Sequence, residues 1–546
     1  MKNVLSKYLS PLNWLWSMSR GMQGIMLINC VVGTLHIMAS LAFVWFCKRI
    51  VDFATGVQQG NLTGYIVLML GLMVCMIFFS GWESWLRGQN GIRSNNLLRQ
   101  TVFERVMKSS WEGQDRFHTG DAMNRLEEDI RVVSQAISTD IPNFFLTIVQ
   151  LFAASAFLFM LDARLLWVIL ILMPIAILVS KMFYRKMKNL TQQVRKQESS
   201  IQGIMQENLQ HRLLVQTLGC MEQAVGKLSD FQDQLYITFH TRLNYTTRSR
   251  IFLQTGFSGG YCIAFLWGIF GIQAGTVTFG MMTAFLQLVA QVQRPIVNLT
   301  QYIPTFISLI TSIERLQELT NLPQEEIREQ QPMQGPVGIR ISDVCYHYPD
   351  AKKQVLNHLS HDFLPGSTTA VVGETGAGKS TLIRLLLSLM QPQNGEILLY
   401  NAQTKQPVSP SARVNFMYVP QGNSLMSGTI RENLLLGNPQ ATEDEMKEVL
   451  HRVCADFVFL RPDGLDSTCG EIGSGLSEGQ AQRIAIARAL LHQGSILILD
   501  EASSALDSQT EREILETLRK INDKTVIWVT HHDAVTQYMQ HVLTIG

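Results

Sequence analysis

Apolar runs without a single Asp, Glu, Lys or Arg dominate the first 320 residues, and residues 24–46 are the clearest of them. At 1.5 Å per residue, such a run crosses a hydrocarbon core about 30 Å thick with some tilt, so it predicts a transmembrane helix. Comparable runs at 64–82, 141–161, 165–184, 251–273 and 277–293 predict five more, the last continuing past Pro295 toward Ile310. Lysine and arginine orient the set. The segment between the second and third spans holds Arg87, Arg93, Arg99, Arg105, Lys108, Arg116, Arg125 and Arg131. The one between the fourth and fifth opens with Lys181, Arg185, Lys186 and Lys188. The turn after the third span offers Arg164, and the turn after the fifth offers no basic residue. Basic sides face the cytoplasm, so the N-terminus is expected there too. Both basic segments exceed 50 residues with helical composition, which predicts that the spans continue as long rods rather than as loops.

In the last span Gln287, Gln291, Arg294, Asn298 and Gln301 recur at intervals of four, three, four and three, which places them on one helix face. A polar stripe at membrane depth faces protein or a water-filled cavity. It therefore serves either as interhelical glue or as a cavity lining. Pro295 and Pro304 are the positions at which this helix would bend.

After the polar, proline-bearing linker at 321–336, short β-branched strands alternate with helices from 337 to 546, the pattern of an α/β nucleotide-binding domain. Residues 1–320 are expected to form the membrane domain. The fold class expected is a membrane α-helical bundle of six transmembrane helices with long cytoplasmic extensions, joined to an α/β P-loop domain.

The strand-like "TTAVV" runs into "GETGAGKST", comprising Gly373, Glu374, Thr375, Gly376, Ala377, Gly378, Lys379, Ser380 and Thr381, and then into an apolar helix. In such a loop glycines let backbone amides approach phosphate oxygens, Lys379 brings charge to the β- and γ-phosphates, and Ser380 offers a hydroxyl to magnesium. ATP and Mg2+ are the cofactors this implies. The strand "SILILD" ends in Asp500, placed to hold magnesium, followed by Glu501, placed to polarise an attacking water. A second anion-binding feature lies in "GSGLSEGQ". Ser477 and Gln480 have capping-box spacing, and Gly475 and Gly479 would leave the positive end of the helix exposed. Two phosphate cradles in one chain look redundant.

Composition changes this picture little. Forty-five basic residues against 44 acidic ones give no field that would argue for nucleic acid. The charged fraction of 16% falls below the roughly 25% usual for soluble proteins, because the first 320 residues are so apolar. Eight cysteines lie scattered without metal-ligand spacing and read as reduced. The basic start (Lys2, Lys7, Arg20) leads into a run too long for a signal core, so no cleavable signal is expected. "LNWLWSM", with Trp14 and Trp16, reads as interfacial.

The ordered motifs GETGAGKS, Gln421 in "YVPQGNSLMSG", LSEGQ, ILILDE, SALD and His531 in "VIWVTHHD" resemble the ATP-binding cassette (ABC) family, and six spans before one cassette resemble its exporter half-transporters. The resemblance implies that Tyr348, or Tyr346 in its place, stacks on adenine. It implies that Gln421 senses the γ-phosphate and joins the magnesium shell, that His531 rather than His532 holds that phosphate, and that Asp507 lies in the loop joining two active sites. Glu471 would touch the cytoplasmic rods. It also accounts for the second cradle: two cassettes pack head to tail, and Ser477, Gly479 and Gln480 of one chain meet the nucleotide of the other. Glu478 stands where the family has glycine, and the chain stops at Gly546 where relatives usually continue. No peptidase domain precedes the first span, so leader-peptide processing is not expected.

The function expected is ATP-driven export of a lipid, drug-like amphiphile or peptide across the inner membrane of a bacterium, by a homodimer. Half of an obligate heterodimer, or an ATP-gated channel, are the alternatives. Six spans exclude a soluble cassette ATPase acting on DNA.

Overall fold

The computed structural model describes residues 13–58, 61–111, 119–182, 184–328, 330–348, 354–470, 475–503, 505–521, 523–531 and 533–546. Lys2, Lys7, Arg116, Glu471 and His532 lie outside these. The chain forms two compact units. One comprises residues 1–104 and 119–321, the other residues 105–118 and 322–546.

The first unit is helical. Its principal elements are α1 (Gln23–Ala54), α2 (Leu62–Met107), α3 (Gly120–Leu161), α4 (Ala163–Lys181), α5 (Tyr184–Gln210), α6 (Arg212–Thr217), α7 (Met221–Gln273) and α8 (Phe279–Thr320). Five of them, α1, α2, α3, α7 and α8, are long and apolar enough to cross a membrane, and α4 supplies a shorter apolar helix in the remaining position. α2 runs 46 residues and α7 runs 53, each far more than a span requires. α8 stays helical through both Pro295 and Pro304.

Large apolar side chains such as Leu27, Val31, Val74, Ile77 and Phe152 point outward, as lipid-facing positions do. Inside, Leu41, Val44, Leu158, Ile169, Phe285 and Leu288 form the core of this unit. Small residues let the helices approach. A methyl group on Gly33 would run into Leu146, and one on Gly268 would run into Met282.

α3 is irregular. Two π-helical stretches, Arg125–Asp129 and Ala136–Asp140, interrupt it. The first carries a charge network to α8. Buried Asp129 accepts from Ser312 Oγ at 2.8 Å and pairs with Arg315 at 3.3 Å, and Arg125 reaches Glu318 at 2.6 Å.

The second unit contains a parallel sheet in the order β11-β3-β10-β9-β6, built from β3 (Thr368–Val372), β6 (Phe416–Val419), β9 (Ile496–Asp500), β10 (Thr525–Val529) and β11 (His541–Thr544). An antiparallel sheet in the order β2-β1-β4-β5 joins β1 (Gly338–Tyr346), β2 (Leu356–Phe363), β4 (Asn394–Tyr400) and β5 (Lys405–Pro407). A short pair, β7 (Gly428–Thr429) with β8 (Thr468–Cys469), completes the strands among the described residues. The central strands β9 and β10 are buried along their whole length because both faces are covered. α9 (Lys379–Leu386) packs with β1 and β2 in one core, and α12 (Glu478–Leu491) and α13 (Ser508–Arg519) pack in the other, with α10 (Ile430–Leu435) and α11 (Glu443–Arg452) beyond.

Residues 105–111 belong to this unit. Ser110 N donates to Pro323 O at 2.8 Å, Glu325 N to Lys108 O at 2.9 Å, and Arg384 lies 5.9 Å from the centre of the Trp111 ring.

Candidate functional site

Four site segments leave the C-terminal ends of adjacent parallel strands, where ligands bind in open α/β sheets. Gly373 follows β3, Gln421 follows β6, Glu501 follows β9 and His531 follows β10. Their side chains and loops line one cleft of about 1160 Å³, together with Tyr348, Glu374, Thr375, Gly376, Gly378, Lys379, Ser380 and Thr381. Ala377 lies in the same loop with its methyl group against the core.

The loop's conformation requires its glycines. Gly376 and Gly378 have φ of 88° and 106°, which side chains with a Cβ rarely adopt, and a methyl group on Gly373 would strike the carbonyl of Ile545. Gly378 caps α9 without a side chain, so the first amides of that helix face the cleft uncovered. Lys379 lies back across the loop, with Nζ donating to Gly373 O at 2.6 Å and to Glu374 O at 3.2 Å.

Glu501 holds φ of 48°, an uncommon conformation for a residue with a side chain, and its N–H donates to Val529 O at 3.0 Å. This places the carboxylate within reach of Gln421, whose Nε2 donates to it at 2.6 Å, and 3.4 Å from His531 Nδ1. Asp500 sits behind it, buried, and receives the Tyr418 hydroxyl at 3.3 Å. Burial pushes the Asp500 carboxyl above its ordinary range, with Glu501 adding to the shift while Tyr418, Lys379 and Arg384 oppose it. Burial likewise raises the Tyr418 phenol.

Among the described residues no trio of His, Cys, Asp or Glu is arranged to hold a metal ion. The oxygen donors of Ser380, Gln421 and Asp500 suit a hard cation that draws its remaining ligands from phosphates and water, as Mg2+ does.

The structure separates Tyr346 from Tyr348. Tyr346 is 3% exposed and belongs to the core, and its ring meets Tyr348 edge-on at 5.3 Å. Tyr348 lines the cleft, its hydroxyl 3.1 Å from Thr381 Oγ1 and 3.0 Å from Arg384 Nη1. Sequence reasoning missed Arg384 and Tyr418. Arg384 falls three residues after Thr381 on the same helix, a signal that existed, whereas the pairing of Tyr418 with Asp500 joins residues 82 apart.

The second cradle forms, but elsewhere. Ser477 Oγ accepts from Gln480 N at 3.2 Å while Gln480 Oε1 accepts from Ser477 N at 3.1 Å, the reciprocal capping box that the spacing predicts. Gly479 fits because a methyl group there would stand 2.6 Å from Ala505 O. None of Ser477, Gly479 or Gln480 lines the cleft.

Residues 26–296 match the family described as the ABC transporter transmembrane region, and residues 356–504 match the family described as ABC transporter. A putative multidrug export ATP-binding/permease protein of Staphylococcus aureus is 30% identical over 83% of this chain and 80% of its own length. The chain belongs to the ABC transporter family. A putative export ATP-binding/permease protein of Rickettsia felis is 26% identical over 95% of this chain and 91% of its own. The solved structure of a bacterial Atm1-family ABC exporter with ATP bound shares the fold, with a TM-score of 0.79 at 22% identity over 95% of this chain and 93% of the other.

This ABC transporter is therefore a multi-pass membrane ATPase of the exporter class, and its cassette binds nucleotide. One departure from the family pattern, Glu478, and one residue that matches it, Asp507, have a place in the structure. Glu478 is exposed on the first turn of α12. Asp507 caps α13, its carboxylate accepting from Thr510 N at 3.0 Å and Thr510 Oγ1 at 2.7 Å, and these bonds hold it below the usual carboxylate range.

Proposed function

We propose that the chain is a homodimeric ATP-driven exporter of the inner membrane of a bacterium, with two ATP molecules each held between the phosphate loop of one chain and the Ser477 helix of its partner. One observation carries this reading: the capped, glycine-flanked start of α12 is exposed and lies outside the cleft that gathers Lys379, Gln421, Glu501 and His531. Two half-sites on one chain need a second chain to complete them.

In the assembled site the amides of Gly373 to Thr381 and Lys379 hold the phosphates, and the ring of Tyr348 stacks on adenine. Ser380, Gln421 and Asp500 would hold Mg2+, which supplies neutralisation of the phosphate charge when bound. Glu501 accepts the proton of the attacking water, and His531 hydrogen-bonds the γ-phosphate. Gln421 touches Glu501 directly, so a shift at the γ-phosphate displaces Gln421 and the segment after it. With Lys379, Asp500, Glu501 and His531 all present, a pair of identical chains has two competent sites, which favours self-pairing over a partner with a different chain.

Defined dimers of two differently tagged chains, on a Glu501→Gln background, test the sharing. Pairing a Lys379→Ala chain with a Ser477→Arg chain leaves one undamaged site and should occlude about one ATP per dimer. Pairing an unaltered chain with one carrying both changes should occlude none. The reverse pattern would show that loop and signature serve the same nucleotide within one chain. A monomer, or a requirement for a second gene product, in the purified complex would refute the homodimer.

A further inference from the structure

The first unit contains a half-open chamber of about 300 Å³ between α1, α2, α3 and α8, lined by His36, Glu83, Asn143, Gln150, Gln291 and Asn298 among others. Its polar residues lie at two depths, Gln150 about 17 Å from Leu161 and Gln291 about 18 Å from Phe279, with the other four deeper. Taking 1.5 Å per residue, His36 lies about 27 Å from the end of α1 at Ala54, and Glu83 about 31 Å from the start of α2 at Leu62. Asn143 lies about 27 Å from the end of α3 at Leu161, and Asn298 about 28 Å from the start of α8 at Phe279. Four helices thus bring polar side chains to one level, on the side of the membrane from which the basic segments depart.

The chamber's charges are already matched within its wall. Glu83 is buried, with Arg87 Nη1 at 3.2 Å and His36 Nδ1 at 3.6 Å. The same Arg87 nitrogen donates to Asn143 Oδ1 at 3.2 Å. One carboxylate and one guanidinium cancel. An organic cation entering here would lose its hydration and find the carboxylate occupied, and an anion would find the guanidinium occupied. What remains available is a set of amides, each offering both a donor and an acceptor: Gln150, Gln291 and Asn298. Gln291 spends part of its capacity on Ser40 at 3.2 Å.

From this we infer that the chamber takes the uncharged, hydrogen-bonding end of the cargo, a group rich in amides or hydroxyls, and discriminates against lipophilic cations. The inference rests on the export reading and names its substrate class. A site built from buried hydrogen-bonding groups rejects ligands lacking their partners far more sharply than an apolar pocket rejects a wrong shape. The two sources of this chemistry are a peptide-like amide and a polyol headgroup.

Three probes sharing an octyl tail separate the possibilities: N-octanoyl-alanyl-alanine amide, octyl glucoside and octyltrimethylammonium. Each is used in radiolabelled form below its micellar concentration, with the full chain in phospholipid nanodiscs. Saturable binding of the amide or the glucoside, at least tenfold tighter than that of the ammonium, is expected, and whichever of the two binds identifies the source. Gln150→Leu and Asn298→Leu should weaken that binding at least tenfold, leave ammonium binding unchanged and keep basal ATP hydrolysis within twofold.

The ranking of the three probes needs no variant, so it decides even where a Leu variant fails to fold. Tightest binding of octyltrimethylammonium, abolished by Glu83→Gln, would overturn the inference. So would saturable binding by none of the three, or neutral binding indifferent to both Leu changes. ATP-driven uptake into inverted vesicles separates the two layers. Leu-sensitive binding without uptake refutes export and leaves the chamber assignment standing, whereas uptake insensitive to the Leu changes refutes the chamber and leaves export standing.

Discussion

Replacing Glu501 by Gln removes a proton acceptor from the cassette while conserving side-chain volume and most local contacts. The left-handed backbone at this residue and the bond from its N–H to Val529 O depend on the main chain and persist. Gln421 Nε2, now 2.6 Å from the carboxylate, finds an equivalent acceptor in the new amide oxygen. His531, at 3.4 Å, loses a charged neighbour and keeps a polar one. The phosphate loop, Lys379 and Ser380 are untouched. The loss is therefore confined to the step in which a water gives up its proton. A positioned general base contributes about 10²–10⁴ in rate, equivalent to about 3–5.5 kcal/mol at 1.36 kcal/mol per decade. The turnover number in nanodiscs, followed by phosphate release, should fall by that factor, while the Kd for ATP measured on the same preparation moves by less than about threefold. Turnover within tenfold of the unaltered protein would refute Glu501 as the base. Weakening of ATP binding beyond tenfold would show that the carboxylate organises the cleft rather than the water.

Three further outcomes follow from contacts described above. Tyr348→Ala should weaken ATP binding about 5- to 150-fold, the loss of a stacked ring, whereas Tyr348→Phe, which sacrifices only the hydroxyl contacts to Thr381 and Arg384, should cost less than about tenfold; equal losses in titration would assign the effect to the hydroxyl. Burial raises the Asp500 carboxyl above its ordinary 3.8, so the folded cassette binds that proton more tightly than the unfolded chain and loses stability as pH rises from 3.8 through the raised value. Asp500→Asn should remove this dependence and raise the melting temperature of the nucleotide-free protein at pH 7 while abolishing Mg2+-dependent hydrolysis; a lower melting temperature would contradict the argument. Asp129→Ala takes a buried acceptor from Ser312 and one of two carboxylates from Arg315, which keeps Asp121 at 3.3 Å and is 35% exposed, so the cost should be about 1–3 kcal/mol rather than the 3–5 kcal/mol of a fully buried pair, read as a lower melting temperature of the membrane domain and recovered by Asp129→Asn only in part.

The features legible in the sequence were those written over a few residues. The phosphate loop, the capping box at Ser477 and the strand ending in Asp500 each depend on neighbours within a dozen positions, so spacing alone specifies them. The apolar runs gave the spans for the same reason. Contacts across elements were not legible. Glu83 meets His36 and Asn143 meets Arg87 only because separate helices bring them to one depth, and no periodicity encodes that. The polar stripe on α8 shows where local reading divides. Its spacing placed Gln291, Arg294 and Asn298 on one face, yet Gln291 and Asn298 line the chamber with His36, while Arg294 lines a separate pocket with Gln254 and Tyr261. A face of a long helix is wide enough to serve two neighbours. Tyr346 and Tyr348 share strand parity, so alternation could not tell the core ring from the cleft ring. The placement of residues 105–111 with the cassette unit was hidden too, since their helical composition reads as a continuation of α2.

The two π-helical stretches of α3 bear on how this chain is compared with others. Each widened turn accommodates one residue beyond the α-helical count, so it amounts to an insertion absorbed inside a helix instead of in a loop. Each extra residue rotates everything before it by about 100° relative to everything after it. The charges of Arg125 and Asp129 are thereby phased to α8 independently of Asn143 and Gln150, which face the chamber. A residue-by-residue alignment that forbids gaps within helices would carry one phase across the other and assign the wrong face to whole turns. Aligning α3 with a relative that lacks these stretches therefore calls for a single-residue gap at each of them. A one-residue deletion in either stretch should be better tolerated by the helix itself than by the partners whose register it shifts.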